Sequence, residues 1–399
     1  MGKFSVLGGS SPFTAGLVDS IADASECIMP EILMLHGRNS RNLELIYRYA
    51  KEKLERLGWK VESTESIERA LSGSDMVLHQ IRYGGLNGRY DDEVLAIENG
   101  YPPDETLGPS GLQSAIRMVP PLTQMAKKIR EYSPNAWILN LTNPLSIAVA
   151  VLNMEGLKKV VGLCELPLVT MNKICSYLSL DLETVTWQYS GLNHRGFLHH
   201  LFYKGEDLLD RLVGTMGKES IDTIPSWQIR ELNAVPLKYF CLFNAGKHTI
   251  QRRAPFLNRL RQEITEQLKR KRSDSPPGLS KRYMGWYPYS VIPMLEAVQA
   301  NDGRCQIVNI PSGDIVMELK SKIFSDRIKP DADIAPPEPV KKWIHKFITH
   351  ERSVITAACD PTPKNIKIAL DLDPLVSKKG DIGRLTKQIQ TRQNKEIQL

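Results

Sequence analysis

The sequence predicts an α/β fold, with a doubly wound parallel sheet over residues 1–165 and an α+β domain over residues 166–399. Three observations carry this. Short apolar runs, among them Lys3–Leu7, Glu31–Leu35 and Asp75–Gln80, alternate with amphipathic stretches of helical period, the pattern of βαβ units whose strands are covered on both faces. A glycine turn, Gly8-Gly9-Ser10-Ser11, separates the first strand from the first helix. The stretch Trp137–Leu166 reads as strand, helix and strand, with polar residues closing each strand. Parallel strands in that relation open their polar ends onto one sheet edge, where ligands of open α/β sheets bind.

Taken in order, Lys3–Leu7 leads through the glycine turn into a helix from about Thr14 to Ala22. Such a turn lets the backbone approach a pyrophosphate, and the helix N-terminus supplies free N–H groups and a favourable dipole. Gly8, Gly9, Ser10, Ser11, Phe13 and Thr14 are therefore candidate cofactor contacts of a Rossmann-type unit. The spacing departs from GxGxxG, so a plain strand-turn-helix stays open beside it. The strand Glu31–Leu35 runs into His36, Gly37 and Arg38, where NAD-binding units carry an acid for the ribose hydroxyls. Arg38 and Arg41 suit a 2′-phosphate, which leans towards NADP, or are solvated loop charges. A helix over Leu43–Leu57, a strand over Trp59–Ser63, a short helix over Ile67–Leu71 and the strand Asp75–Gln80 follow. Residues 81–109 read as a long shaped loop before a helix starting near Ser110. In it Arg89 either clamps an anionic group, as a guanidinium fork does, or pairs with Asp91 or Asp92.

In the stretch Trp137–Leu166 the first strand ends in Asn140, Thr142 and Asn143, and the second in Cys164 and Glu165. A helix over Met171–Leu178 and a strand over Thr184–Tyr189 lead to Asn193 and His194, flanked by Gly191 and Gly196. A lone histidine is commonly structural. Cys164 and His194 together suit Mn, Fe, Co, Ni or Zn, with open positions left for substrate oxygens. Any metal there would be a working one. Residues 204–275 read as helical, with the basic KRKRSDSPPG a solvated loop. The segment SKRYMGWYPYSVIPMLEAVQ carries four aromatics, Tyr283, Trp286, Tyr287 and Tyr289, before an apolar helix. They suit a core, or a tyrosine base if a cation lowers its pKa. Strands over Gln306–Ile310 and Ile315–Leu319, the connection DADIAPPEP, helices over His345–Cys359 and Pro363–Leu372, and a polar mobile tail from Lys378 complete the chain.

Charge and cysteines narrow the function classes. A formal charge of +7 without a long basic block fits anionic small molecules at least as well as nucleic acid. Six cysteines without a CxxC pair point to free thiols in a reducing cytoplasm. The N-terminus enters a strand directly, with no leader pattern, and no apolar run is long enough to span a membrane.

The ordered segments VLGGSSPFT, IRYGGLNGRYDDE, ETLGPSGLQSAIR, NLTNPLSI, VVGLCELP and SGLNHRGF, with the C-terminal HERSVITAACDPTPKNIKIALDLDPLV, resemble family 4 of the glycoside hydrolases, the NAD- and Mn-dependent glycosidases. The resemblance covers nearly the whole chain. It implies an exception to the two-carboxylate glycosidase mechanism. A nicotinamide oxidises sugar carbon 3, a tyrosine removes the carbon 2 proton beside a metal, and the aglycone is eliminated before water adds at carbon 1. It implies metal ligation by Cys164 and His194, substrate contacts from Arg89, Asn143 and Asn193, and NAD, or NADP, with Mn2+ or another divalent transition metal. Glu165 stands where α-cleaving members have an aspartate acid. For the base, alignment without a gap gives Tyr287, and matching the Tyr-Ser pair gives Tyr289. The chain departs from the family in Tyr283–Met284 for a double glycine and in the His36–Arg38 turn. The expected substrate is a 6-phosphorylated, uronic or simple hexoside, and the expected assembly a homodimer or homotetramer built by the C-terminal domain. A dehydrogenase of a 2-hydroxy acid or sugar acid, or a non-catalytic dinucleotide-binding regulator, are the competing functions.

Overall fold

In the computed structural model, which describes residues 2–28, 31–217, 219–243, 251–270, 274–331, 334–376 and 381–397, strands and helices alternate through the first half of the chain. The strands are β1 (Lys3–Leu7), β2 (Ile32–His36), β3 (Lys60–Thr64), β4 (Met76–His79), β5 (Trp137–Asn140) and β6 (Val160–Gly162). They are parallel and lie in the order β3-β2-β1-β4-β5-β6. The order reverses between β1 and β4, which puts the ligand crevice of such sheets there. Helices α1 (Thr14–Asp23), α2 (Ser40–Leu54), α3 (Ile67–Leu71), α4 (Gly85–Glu98), α5 (Gly108–Tyr132) and α6 (Leu145–Met154) make the crossovers. Every residue of β4 and β5 is buried, as strands covered on both faces require.

The second half continues the same sheet. Helix α7 (Leu166–Leu178) leads to the hairpin β7 (Val185–Leu192) and β8 (Arg195–Tyr203). Short elements follow: β9 (Glu206–Asp207), α8 (Leu208–Met216), β10 (Ser220–Ile221), β11 (Ile224–Pro225), α9 (Ser226–Leu232) and β12 (Val235–Pro236). Helices α10 (Ala254–Arg270) and α11 (Ile292–Ala300) precede strands β13 (Cys305–Ser312), β14 (Ile315–Ile323) and β15 (Ile328–Pro330). β13 pairs antiparallel with β6 through Asn309 and Gly162. The order β12-β8-β7-β14-β13-β6 thus joins the parallel half without a break, and α12 (Glu338–Cys359), α13 (Pro363–Leu372) and α14 (Ile382–Ile397) close the chain. Among the described residues no helix is long and apolar enough to cross a membrane.

Three expectations are corrected. Residues 81–109 are not one loop, because α4 occupies Gly85–Glu98. Its buried face carries Arg89, Asp92 and Glu93 beside Leu95 and Ala96, and charged residues that pair internally erase the amphipathic period. Residues 204–275 are not uniformly helical. Short strands interrupt them, and Pro225 and Pro236 mark two, as proline does at sheet edges. The tail beyond Lys378 contains α14, whose Leu385 and Ile389 are buried one turn apart. Residues 271–273 of the basic segment, 332–333 of the proline-rich connection and 377–380 lie outside the described residues.

Candidate active site

At the crevice, β1 ends in Gly8, whose φ of +92° favours glycine. The Gly8 and Gly9 amides donate to the His36 carbonyl at 3.1 and 2.7 Å. A Cβ on Gly8 would lie 3.1 Å from the Gln80 carbonyl oxygen, so the turn is wedged between the ends of β2 and β4. Ser10 and Ser11 continue it, Phe13 is the N-cap of α1, and Thr14 is its first residue. The cofactor candidates of the turn therefore lie together at the switch point. Arg38 is exposed on the connection from β2 to α2. His36 is buried, burial lowers its pKa, and its Nδ1 has no partner. The buried Tyr287 also faces this crevice. Its hydroxyl donates to Gln80 Oε1 at 2.8 Å, and Gln80 Nε2 donates to Thr14 Oγ1 at 3.0 Å. Tyr289 is exposed.

A second cluster forms where β6 and the β7–β8 hairpin end. Cys164 follows β6, and Glu165 is the N-cap of α7. Asn193 and His194 form the hairpin tip, with His194 at φ +63°, a conformation histidine tolerates better than branched residues. The His194 ring stacks on Tyr239, with centroids 4.1 Å apart and planes 18° from parallel. β12 places this tyrosine: Val235 and Pro236 pair with Leu198 and Phe197, and the Leu237 amide donates to the Gly196 carbonyl at 3.0 Å. The tyrosine then lies in the turn beside the hairpin tip. Burial pushes its phenol up, reinforced by Asp104, Glu105, Cys164 and Glu165. Tyr239 was not expected from the sequence. Pro236, which excludes a helix interior, was the available signal.

The donor set suits a metal with open positions. Burial holds His194 down to about 3, so the ring is neutral, and its Nδ1 is buried without a partner among the described residues. Cys164 is buried, and burial together with Glu318 and Glu165 raises its thiol. A cation would relieve that repulsion, because it favours the thiolate. Among the described residues no three His, Cys, Asp or Glu side chains converge as a cage. Burial also raises the Glu165 carboxyl, against the pull of Lys238, which favours a proton donor.

Arg82, Arg89, Glu105 and Asn143 line one small cavity. Asn143 Nδ2 donates to Glu105 Oε1 at 3.2 Å, and its buried Oδ1 has no partner among the described residues. Arg89 is committed, with Nε on Glu93 at 2.8 Å and Nη1 on Glu105. Asp92, one of the aspartates considered as a partner of Arg89, pairs with Arg117 instead. Burial would raise Glu105, but Arg89 and Arg82 hold it well below the usual carboxylate range. Arg282 is different. It lies over the Phe13 ring at 4.3 Å and the Trp286 ring at 4.9 Å. Its Nε is buried without a partner among the described residues, and burial and the nearby Arg82 lower its pKa to about 10. A guanidinium so placed calls for an anion.

The crevice also makes an acid-labile point. His79, closing β4, shares a hydrogen bond of 2.8 Å with Asn140 Oδ1 and one of 3.1 Å with the Tyr83 hydroxyl. Burial holds its pKa to about 4. The unfolded chain, with histidine near 6.5, binds this proton first, so the contribution is full above that value and is lost as pH falls towards 4. Lowering pH from 7 to 5 should remove about 2 kcal/mol through this residue. In urea unfolding at both values, His79→Gln should flatten the pH slope by that amount, and an unchanged slope would refute the assignment.

A doubly wound sheet whose switch-point crevice adjoins a Cys, His, Tyr and carboxylate cluster is the architecture of an enzyme of the dinucleotide-fold class. The model of the family 4 glycosyl hydrolases matches residues 3–180, and that of their C-terminal domain residues 189–376. The chain belongs to this family and is a glycoside hydrolase. It is 27% identical over 408 residues to a probable 6-phospho-beta-glucosidase of Bacillus subtilis, covering 94% of this chain and 92% of that one. The 6-phospho-beta glucosidase of Thermotoga maritima, solved with manganese, NAD+ and glucose-6-phosphate, superposes with a TM-score of 0.87 at 23% identity, over 99% of this chain and 98% of that one. A 6-phospho-alpha-glucosidase from gut microorganisms, solved with NAD and Mn2+, gives 0.83 at 20% identity, over 98% and 97%.

Proposed function

We propose that the chain hydrolyses a 6-phosphorylated hexoside, using NAD at the glycine turn and a divalent metal at Cys164 and His194. The observation that carries this is Tyr239, stacked on His194 and within the electrostatic reach of Cys164 and Glu165. When bound, the nicotinamide supplies a hydride acceptor for sugar carbon 3, and the metal supplies positive charge beside it. The chain's own residues do the rest. Tyr239, rather than Tyr287, takes the carbon 2 proton. Glu165 protonates the departing oxygen. Asn143 and Asn193, each with a buried unpartnered Oδ1, accept from the sugar hydroxyls. Arg282 holds the phosphate, since Arg82 is already paired with Glu105 and Arg89 with Glu93 and Glu105. Arg38 at the end of the His36 turn favours NADP as a second cofactor. The manganese, NAD+ and sugar phosphate bound by the Thermotoga maritima enzyme support this reading.

The test is cleavage of p-nitrophenyl 6-phospho-hexosides. Turnover should require both Mn2+ and NAD, and in D2O the product should carry deuterium at carbon 2. Full-rate cleavage after chelation and cofactor stripping would sink the mechanism. Arg282→Ala should raise KM for the phosphorylated substrate by about 10- to 100-fold, the worth of a charge-assisted bond. It should leave an unphosphorylated hexoside unaffected, and an equal loss on both would remove Arg282 from the phosphate site.

A further inference from the structure

One carboxylate in the antiparallel half of the sheet has no cationic partner among the described residues. Glu318, on β14, is fully buried. Three neutral donors hold it: the Tyr189 hydroxyl on Oε2, and Asn193 Nδ2 at 3.3 Å and Asn309 Nδ2 at 2.8 Å on Oε1. Among the described residues it forms no ion pair. The local sequence is built for this contact. A Cβ on Gly196 would fall 1.9 Å from the Tyr189 hydroxyl, so only glycine leaves Tyr189 its place.

The donors are also the neighbours of the proposed metal ligands. Asn193 immediately precedes His194 at the hairpin tip. Asn309 pairs with Gly162, the last residue of the strand that delivers Cys164. Taking a carboxylate out of water costs several kcal/mol unless charge of the opposite sign meets it. Burial raises the Glu318 carboxyl, and the three donors oppose that rise without supplying the missing positive charge. The buried Cys164 thiol comes two residues after Gly162, the strand end that Asn309 holds. One thiolate and one buried carboxylate balance one divalent cation.

We infer that Glu318 is the counter-charge of the metal: a positioning residue that does not touch the ion, but whose buried negative charge behind Cys164 and Asn193 lets a two-ligand site hold a doubly charged cation. This rests on the metal site proposed above. It goes beyond that proposal by assigning cation affinity to a residue of β14 that is outside the ligand set.

The test is Mn2+ binding to the full chain without substrate, read from the electron paramagnetic resonance signal of free Mn2+. Thermal unfolding and NAD binding are measured on the same samples. Glu318→Gln keeps the volume and the acceptor facing the two asparagines and removes the charge, while its Nε2 amide donates to the Tyr189 hydroxyl in place of accepting from it. Its Mn2+ Kd should rise at least tenfold, with NAD binding and unfolding temperature unchanged. A Kd within twofold of the parent overturns the inference, as does a loss that appears only with a fall in unfolding temperature. Glu318→Asp keeps the charge and should bind Mn2+ within about threefold of the parent. Should Glu318→Gln not fold, a tenfold loss in Glu318→Asp overturns the inference by itself. If the parent fails to bind Mn2+, the metal site falls and this inference with it; if the parent binds and the variants bind equally, only this inference falls.

Discussion

Tyr239→Phe is expected to lower kcat about 1000-fold while leaving Mn2+ and NAD affinities within a few-fold of the parent. A positioned general base contributes between about 100- and 10,000-fold, and the phenol oxygen is all this substitution removes. The ring remains, and so does its stacking on His194 at 4.1 Å, so the hairpin tip keeps its support. In the metal-free chain burial and the surrounding carboxylates keep the phenol protonated. Positive charge at Cys164 and His194 is the change that would lower it. Tyr287→Phe should behave differently. It breaks the bond to Gln80 that leads to Thr14, so it should weaken NAD binding several-fold with kcat within about tenfold of the parent. Solvent deuterium exchange at carbon 2 of a bound product separates the two: it should vanish in Tyr239→Phe and persist in Tyr287→Phe. The reverse pattern would return the base to Tyr287.

That contrast shows where sequence was enough. The parallel half was legible because each strand is a short apolar run buried on both faces, and the polar ends of the two strands in Trp137–Leu166 mark the ligand edge by themselves. Helix α4 was not legible, because the face it buries is made of Arg89, Asp92 and Glu93, which pair with one another (Arg89 with Glu93) and with Glu105 and Arg117 outside the helix. The same pairing argues against Arg89 as a free anion clamp and for the proposed Arg282, which forms no ion pair among the described residues, a feature no sequence pattern displays. Tyr239 was missed for a topological reason. A two-residue edge strand carries no periodicity, and its pairing with β8 is a non-local contact. Glu318 was missed likewise, since one acid in an alternating strand reads as solvent-facing until both sides of the sheet are seen to be covered.

Cys164→Ala and His194→Ala should each lower Mn2+ affinity at least 100-fold and reduce turnover on the order of 1000-fold at saturating NAD. The ligand set is short, with no third His, Cys, Asp or Glu converging on the pair among the described residues, so losing either side chain halves what the protein offers the ion. A metal that stabilises developing charge contributes several kcal/mol to a transition state, which is the origin of the larger factor. Neither variant should unfold. Removing His194 forfeits one ring stack, about 1 kcal/mol, but also removes a buried nitrogen that has no partner. Removing the Cys164 thiol deletes a small side chain beside carboxylates that repel its ionised form. NAD binding at the glycine turn, on the β1 side of the sheet, should be unchanged in both. Excess Mn2+ should restore part of the turnover in each, because the other ligand and the substrate's own oxygens remain. If turnover in either variant matches the parent at limiting Mn2+, that side chain is no ligand.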